Sequence, residues 1–190
     1  MPWTQAYQAQ FAKPLLNQLI AIIQRDQAAA LSVINAARSV DGNPPLDPIA
    51  EFHKGPGART GWPWLTLEVR STNFERGDDQ TTRHLEVRVS LALDSGQYDQ
   101  DMAQEDTQDY ARLLDMIVTS AGPWPSFGDW TTCLPIQHET VPSGTTMPNI
   151  TGTINEVFVE SHLFDKVSAP NVEAPVMRAT VTVLFELEET

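Results

Sequence analysis

Residues 83 to 94 read RHLEVRVSLALD, and in them Leu85, Val87, Val89, Leu91 and Leu93 alternate with Glu86, Arg88, Ser90 and Asp94. A period of two places the first set on one face of an extended strand and the second on the other, which predicts a half-buried strand. Upstream, WLTLEVR at 64 to 70 repeats the pattern, with Leu65, Leu67 and Val69 set against Thr66, Glu68 and Arg70. The intervening FERGDDQ, 74 to 80, is turn chemistry, so the two runs predict an antiparallel hairpin with one apolar face.

Helical patterns flank this hairpin. Pro14 fits the first turn of a helix, behind which Leu16, Leu19, Ile20 and Ile23 recur at three-and-four spacing. Asp26 then either caps a second helix or lies on the exposed face of one continuous helix. The alanine-rich QAAALSVINAAR favours helix up to Arg38, and Asp41-Gly42-Asn43-Pro44 is a stop. Residues 100 to 121 carry a stripe of Tyr110, Leu113, Leu114, Ile117 and Val118. Asp99, Asp101, Glu105, Asp106 and Asp109 crowd the start, where acids suit the helix dipole, and Asp101, Glu105 and Asp109 read as a solvated face. The stripe of Tyr110, Leu113 and Ile117 is expected to cover the sheet face made by Leu85, Val87, Val89 and Val183.

The last third returns to β structure. TTCLPIQ, 131 to 137, is a weak strand pattern interrupted by Pro135, and INEVFVESHLF, 154 to 164, is a stronger one. RATVTVLFELE, 178 to 188, puts Val181, Val183, Phe185 and Leu187 on one face, and the long DKVSAPNVEAPV, 165 to 176, predicts a projecting hairpin tip. The fold class is therefore α+β, a mainly antiparallel sheet with an N-terminal helix and one helix packed on it. The order is α-β-β-α-β-β with an extra short strand, in a single domain over residues 1 to 190.

Twelve basic against twenty-five acidic residues give a net charge of −13. Such a chain has no basic footprint for gripping a phosphate backbone, though it can surround DNA without adhering to it. The single Cys133 excludes an internal disulfide and any cysteine-based zinc site. MPWTQAYQ lacks the basic start of a secretory signal, and LLNQLIAII at 15 to 23 is short and broken by polar residues, so the chain is expected to be soluble and not exported.

The motifs nominate no chemistry. His53, His84, His138 and His162 match no metal-binding spacing, although Glu160 and His162 would share a face of a regular strand. GPGARTG at 55 to 61 is neither of the familiar phosphate-binding patterns, and Cys133 has no charged neighbour to activate it. No catalytic residue, metal ligand or cofactor is expected.

The segment VDGNPPLDPIAEFHKGPGARTGWPW, 40 to 64, stands apart, with five prolines, four glycines and two tryptophans but no helical or strand period. Long structureless loops in compact domains are usually functional or disordered, and Leu46, Ile49, Phe52, Trp62 and Trp64 speak against disorder. Trp124 and Trp130 sit in a second loop of similar composition, GPWPSFGDW at 122 to 130. Such aromatics are either lids over their own core or anchors for another chain. The candidate interface residues are Leu46, Ile49, Phe52, Trp62, Trp64 and Trp124, with the 39 to 63 loop acting as an interaction arm whose replacement leaves the subunit's own stability nearly unchanged.

A leading helix, a hairpin of WLTLEVRS and HLEVRVSLAL, the helix YARLLDMIVTSA, and INEVFVESHLF paired with MRATVTVLFELEE together resemble the tail terminator proteins of tailed phages. These are also called tail-completion or minor tail protein U-like proteins, and related neck components share the pattern. The likeness spans roughly residues 10 to 188. It implies a ring, usually of six copies, that caps the tail tube and joins it to the head connector while enclosing DNA without sequence-specific binding. Its partners would be further copies of itself, the tail tube protein and the connector proteins, with no membrane involved. The place would be the virion tail or neck, and the host cytoplasm during assembly. The 39 to 63 loop and the 165 to 176 tip are longer than a minimal version of such a fold needs. Two readings compete: a small cytosolic enzyme or ligand-binding domain with a pocket under the 39 to 63 loop, and a non-viral adaptor module.

Overall fold

The computed structural model describes residues 3–55, 61–76, 83–97, 102–119, 136–137, 151–168 and 176–189. The described elements run α1 (Trp3–Asp41), β1 (Glu51–Lys54), β2 (Trp64–Arg76), β3 (Arg83–Gln97), α2 (Met102–Val118), β4 (Ile136–Gln137), β5 (Thr151–Val167) and β6 (Val176–Glu189). The class is α+β, with the six strands in one sheet ordered β1-β2-β3-β6-β5-β4. Every neighbouring pair is antiparallel except β1 and β2, which run parallel, so the sheet is mixed.

The hairpin patterns place their residues as the period of two requires. Val89 lies opposite Val69 on one side and Val183 on the other, and Val183 lies opposite Val159, giving a valine row across four strands. On this face α2 lays down Tyr110, Leu113 and Ile117, which share one buried cluster with Val87, Val89, Val181, Val183 and Phe185. Leu85 pairs with Phe74 and Leu187 in the ladder, but its side chain lies outside the described residues. The long helix α1 adds Leu15, Leu19, Ile23 and Ile34 to the same cluster.

Three expectations need correction. The first helix starts at Trp3 rather than at Pro14 and continues without a break past Asp26. Proline removes one backbone donor and is costly inside a helix, yet the glutamine- and alanine-rich residues on both sides favour helix strongly enough to continue it. Asp26 is neither a cap nor exposed: it is buried, with its carboxylate held by the Arg25 guanidinium at 2.7 Å. Second, the 39 to 63 segment is not structureless, because α1 takes its first residues and β1 forms within it. Third, the polar face of the hairpin is not solvated at one end, since Thr66, Ser90 and Asp94 are all buried. Of the extra strand, the described residues include Ile136–Gln137, and the rest of the 131 to 137 stretch, with Cys133, and the 122 to 130 loop lie outside the described residues.

Candidate interaction surface

The proline-rich segment is a strap fastened to its own domain. Gly42 takes a φ of 79°, and the Asn43 N–H donates back to the Arg38 carbonyl at 2.9 Å, closing the end of α1. Beyond it, the Leu46 N–H donates to Asn35 Oδ1 at 2.7 Å, and Asn35 Nδ2 donates to the Leu46 carbonyl at 3.1 Å. The Ile49 N–H reaches Gln27 Oε1 at 2.9 Å, and the Tyr110 hydroxyl donates to the Asp47 carbonyl at 2.8 Å. Pro44, Pro45 and Pro48 carry no N–H, so few donors in this stretch need partners; Asn35 and Gln27 of α1 accept from Leu46 and Ile49, while Tyr110 of α2 donates to a strap carbonyl.

Arg38, 3% exposed, locks the same corner. Its Nε donates to the Pro44 carbonyl at 2.7 Å, while its two terminal nitrogens reach Asp109 and Asp106 of α2 at 2.5 Å each. Burial alone would lower the guanidinium pKa, but the bonds to Asp109 and Asp106 outweigh it and the net shift is upward. Asp109 therefore does not belong to a merely solvated acidic face.

A second built cluster lies on the sheet face away from the helices. Asp94 is fully buried and accepts Arg178 Nε at 2.5 Å and Nη2 at 2.7 Å, together with the indole N–H of Trp64. Trp62 stacks on Trp64 with ring centroids 3.9 Å apart, and Val176 and Val167 complete the patch. The bond to Asp94 raises the Arg178 pKa against the opposing effect of burial.

These positions revise the candidate interface. Leu46, Ile49 and Trp64 are 6%, 4% and 2% exposed, covered by their own chain, so they are not available to another one. Phe52 is half-buried against the main core, and Trp62 is half-buried on Trp64. The physical reason is that the strap's backbone is held by α1 and α2, which turns its apolar side chains inward. Trp124 lies outside the described residues. Beneath the described part of the strap, Leu46 and Ile49 belong to the main buried core.

The surface that the described residues leave open is β5. Of the four large apolar side chains exposed, Val40, Phe158, Leu163 and Phe164, three are on this strand, at 43%, 56% and 40% exposure for the last three. On one side β5 pairs with β6 over nearly its whole length. On the other, among the described residues, only β4 pairs with it, at Thr151 and Gly152. A register shift between Val159 and Ser161 splits the strand. As a result Glu160 points away from the helices and accepts Arg88 Nε at 3.0 Å, whereas His162 points toward them and lies 2.9 Å from Asp115 of α2. The bulge thus separates Glu160 and His162, which a regular strand would have placed together. Among the described residues no group of three or more histidine, cysteine, aspartate or glutamate side chains is placed to hold a metal ion, and no helix is long and apolar enough to cross a membrane.

The loop composition drew attention to the strap and away from β5. A signal for β5 was nevertheless present: Val157-Phe158-Val159 and Leu163-Phe164 break the alternation, placing apolar residues on both faces of one strand. No protein-family model matches the chain, and no curated protein matches it.

Proposed function

We propose that the chain is a structural subunit of a tailed-phage virion, forming a ring, six-membered, that caps the head-proximal end of the tail tube and joins it to the head connector. The observation that carries this reading is the outer side of β5, which among the described residues is paired only by β4 at Thr151 and Gly152, with Phe158, Leu163 and Phe164 exposed along the strand. A long apolar strand edge is a hazard for a subunit that stays alone, and natural sheets normally blunt it. It suits a subunit that works joined to others. Heterologous contacts between different edges of successive copies close into a ring when the rotation per subunit permits. The order of elements supports the phage assignment, and the net charge of −13 suits a channel through which DNA passes without adhering.

Electron microscopy of the full chain, alone and mixed with purified phage tail tubes, tests the reading. Rings seated on one end of the tubes are expected. Tubes left uncapped at saturating protein, with no ring formed alone, would overturn it.

A further inference from the structure

We infer that the peptide bond between Asp41 and Gly42, the joint of α1 and the strap, is a site of spontaneous isomerisation, and that its conversion to an isoaspartyl linkage releases the strap. The inference is independent of the ring, since it concerns the covalent chain of the single subunit.

An aspartate carboxyl is open to attack by the backbone nitrogen of the next residue. The nitrogen gives its proton to solvent, a bond forms from nitrogen to Cγ, and water leaves, closing a five-membered succinimide. Water then opens the ring at either carbonyl. Attack at Cγ restores aspartate, whereas attack at the main-chain carbonyl breaks the original peptide bond and leaves the chain running through Cβ. The water lost in closure is regained, so no oxidant or other co-reactant enters. Closure requires an unengaged carboxyl, room around the next residue and a nitrogen that carries a hydrogen.

Asp41-Gly42 meets all three requirements. It is the chain's one Asp-Gly pair, and there is no Asn-Gly pair. Asp41 ends α1 and is exposed, and among the described residues its side chain takes no hydrogen bond or ion pair. Around Gly42 nothing lies within 4 Å of where a Cβ would stand, and its N–H contacts the Ser39 carbonyl at a long 3.4 Å. Two other aspartates mark the contrast. Asp94 also precedes a small residue, Ser95, but is fully buried with both carboxylate oxygens held by Arg178. Asp47 precedes Pro48, whose nitrogen carries no hydrogen.

An isoaspartyl linkage adds one methylene to the main chain. Two bonds span the point of insertion, from the Asn43 N–H to the Arg38 carbonyl at 2.9 Å and from Arg38 Nε to the Pro44 carbonyl at 2.7 Å. Lengthening the chain between their ends misplaces Asn43 and Pro44, and with them the corner that fastens the strap.

Prolonged incubation of the full chain at neutral pH, well below its melting transition, tests the site. Isoaspartate is read by labelling with a protein isoaspartyl methyltransferase and by fragmenting the tryptic peptide that follows Arg38 and ends at Lys54. It is expected at Asp41, several-fold above the level at Asp94, and absent at that position from Asp41→Glu, whose closure needs a six-membered ring. The aged parent should melt below the fresh parent by a shift that grows with the labelled fraction, while aged Asp41→Glu melts as it did when fresh. Isoaspartate that forms at Asp41 in urea but not in the folded chain would mean that the helix end shuts the joint to the reaction, and overturns the site. An aged, labelled parent that keeps the fresh melting temperature overturns the release of the strap.

Discussion

Arg38, in the last turn of α1, holds Asp109, in the middle of α2, at 2.5 Å, although the two are 71 residues apart in sequence. Through the second bond to Asp106 and the third to the Pro44 carbonyl, one buried cation ties together both helices and the strap between α1 and β1.

Replacing Arg38 by methionine keeps the stem's packing and removes the charge. Asp106 and Asp109 are partly exposed and can take up water, so the expected loss is about 2–3 kcal/mol, below that for a fully buried pair. A thermal melt should move down by roughly 5–10 °C for a chain of this size. An unchanged melt would mean that the cluster contributes nothing net.

The strap makes a prediction opposite to that for a free arm. Substituting residues 43 to 60 by a Gly/Ser linker removes Leu46 and Ile49 from the core and leaves Asn35, Gln27 and Arg38 without their strap partners. The isolated subunit should lose most of its cooperative melting. Leu46→Ala alone should cost about 2–4 kcal/mol. A linker variant that melts like the parent would restore the arm.

Val87 is 1% exposed beneath α2. Val87→Asp buries a charge with no partner and should abolish the folded state at room temperature, at a cost of at least several kcal/mol. Far-ultraviolet circular dichroism and a denaturant titration check this, and a folded variant with the parent's midpoint would mean that this face is not the core.

Tyr110 links pH to stability. Burial first, then the charges of Asp47 and Asp106, raise its hydroxyl above the ordinary value of 10.0. The folded chain therefore keeps this proton where the unfolded chain gives it up. The stabilisation is complete below about pH 10 and is lost above it, by about 1.4 kcal/mol per pH unit. Tyr110→Phe should cost about 1 kcal/mol at neutral pH through the lost bond to the Asp47 carbonyl. The deficit should close and reverse as the pH is taken above 10. Parallel denaturant titrations across that range measure it, and a constant gap would show that the buried hydroxyl is not the titrating group.

Periodicity by itself determined the α+β class, the β2–β3 hairpin, the core faces of β3, β6 and α2, and the pairing of the last two long strands. Burial at period two or near four is a local property, written wherever a strand or helix has one apolar side. Three matters were decided only by the tertiary structure. Composition marked the strap as unusual, yet which way Leu46 and Ile49 turn depends on Asn35, Gln27, Arg38 and Tyr110, which reach it from other elements. The acids of α2 looked solvated because their partner, Arg38, is supplied by a helix some seventy residues earlier. The exposure of Phe158, Leu163 and Phe164 follows from the place of β5 near the end of the strand order, and apolar residues on a strand read the same whether the fold leaves that strand at its centre or its edge.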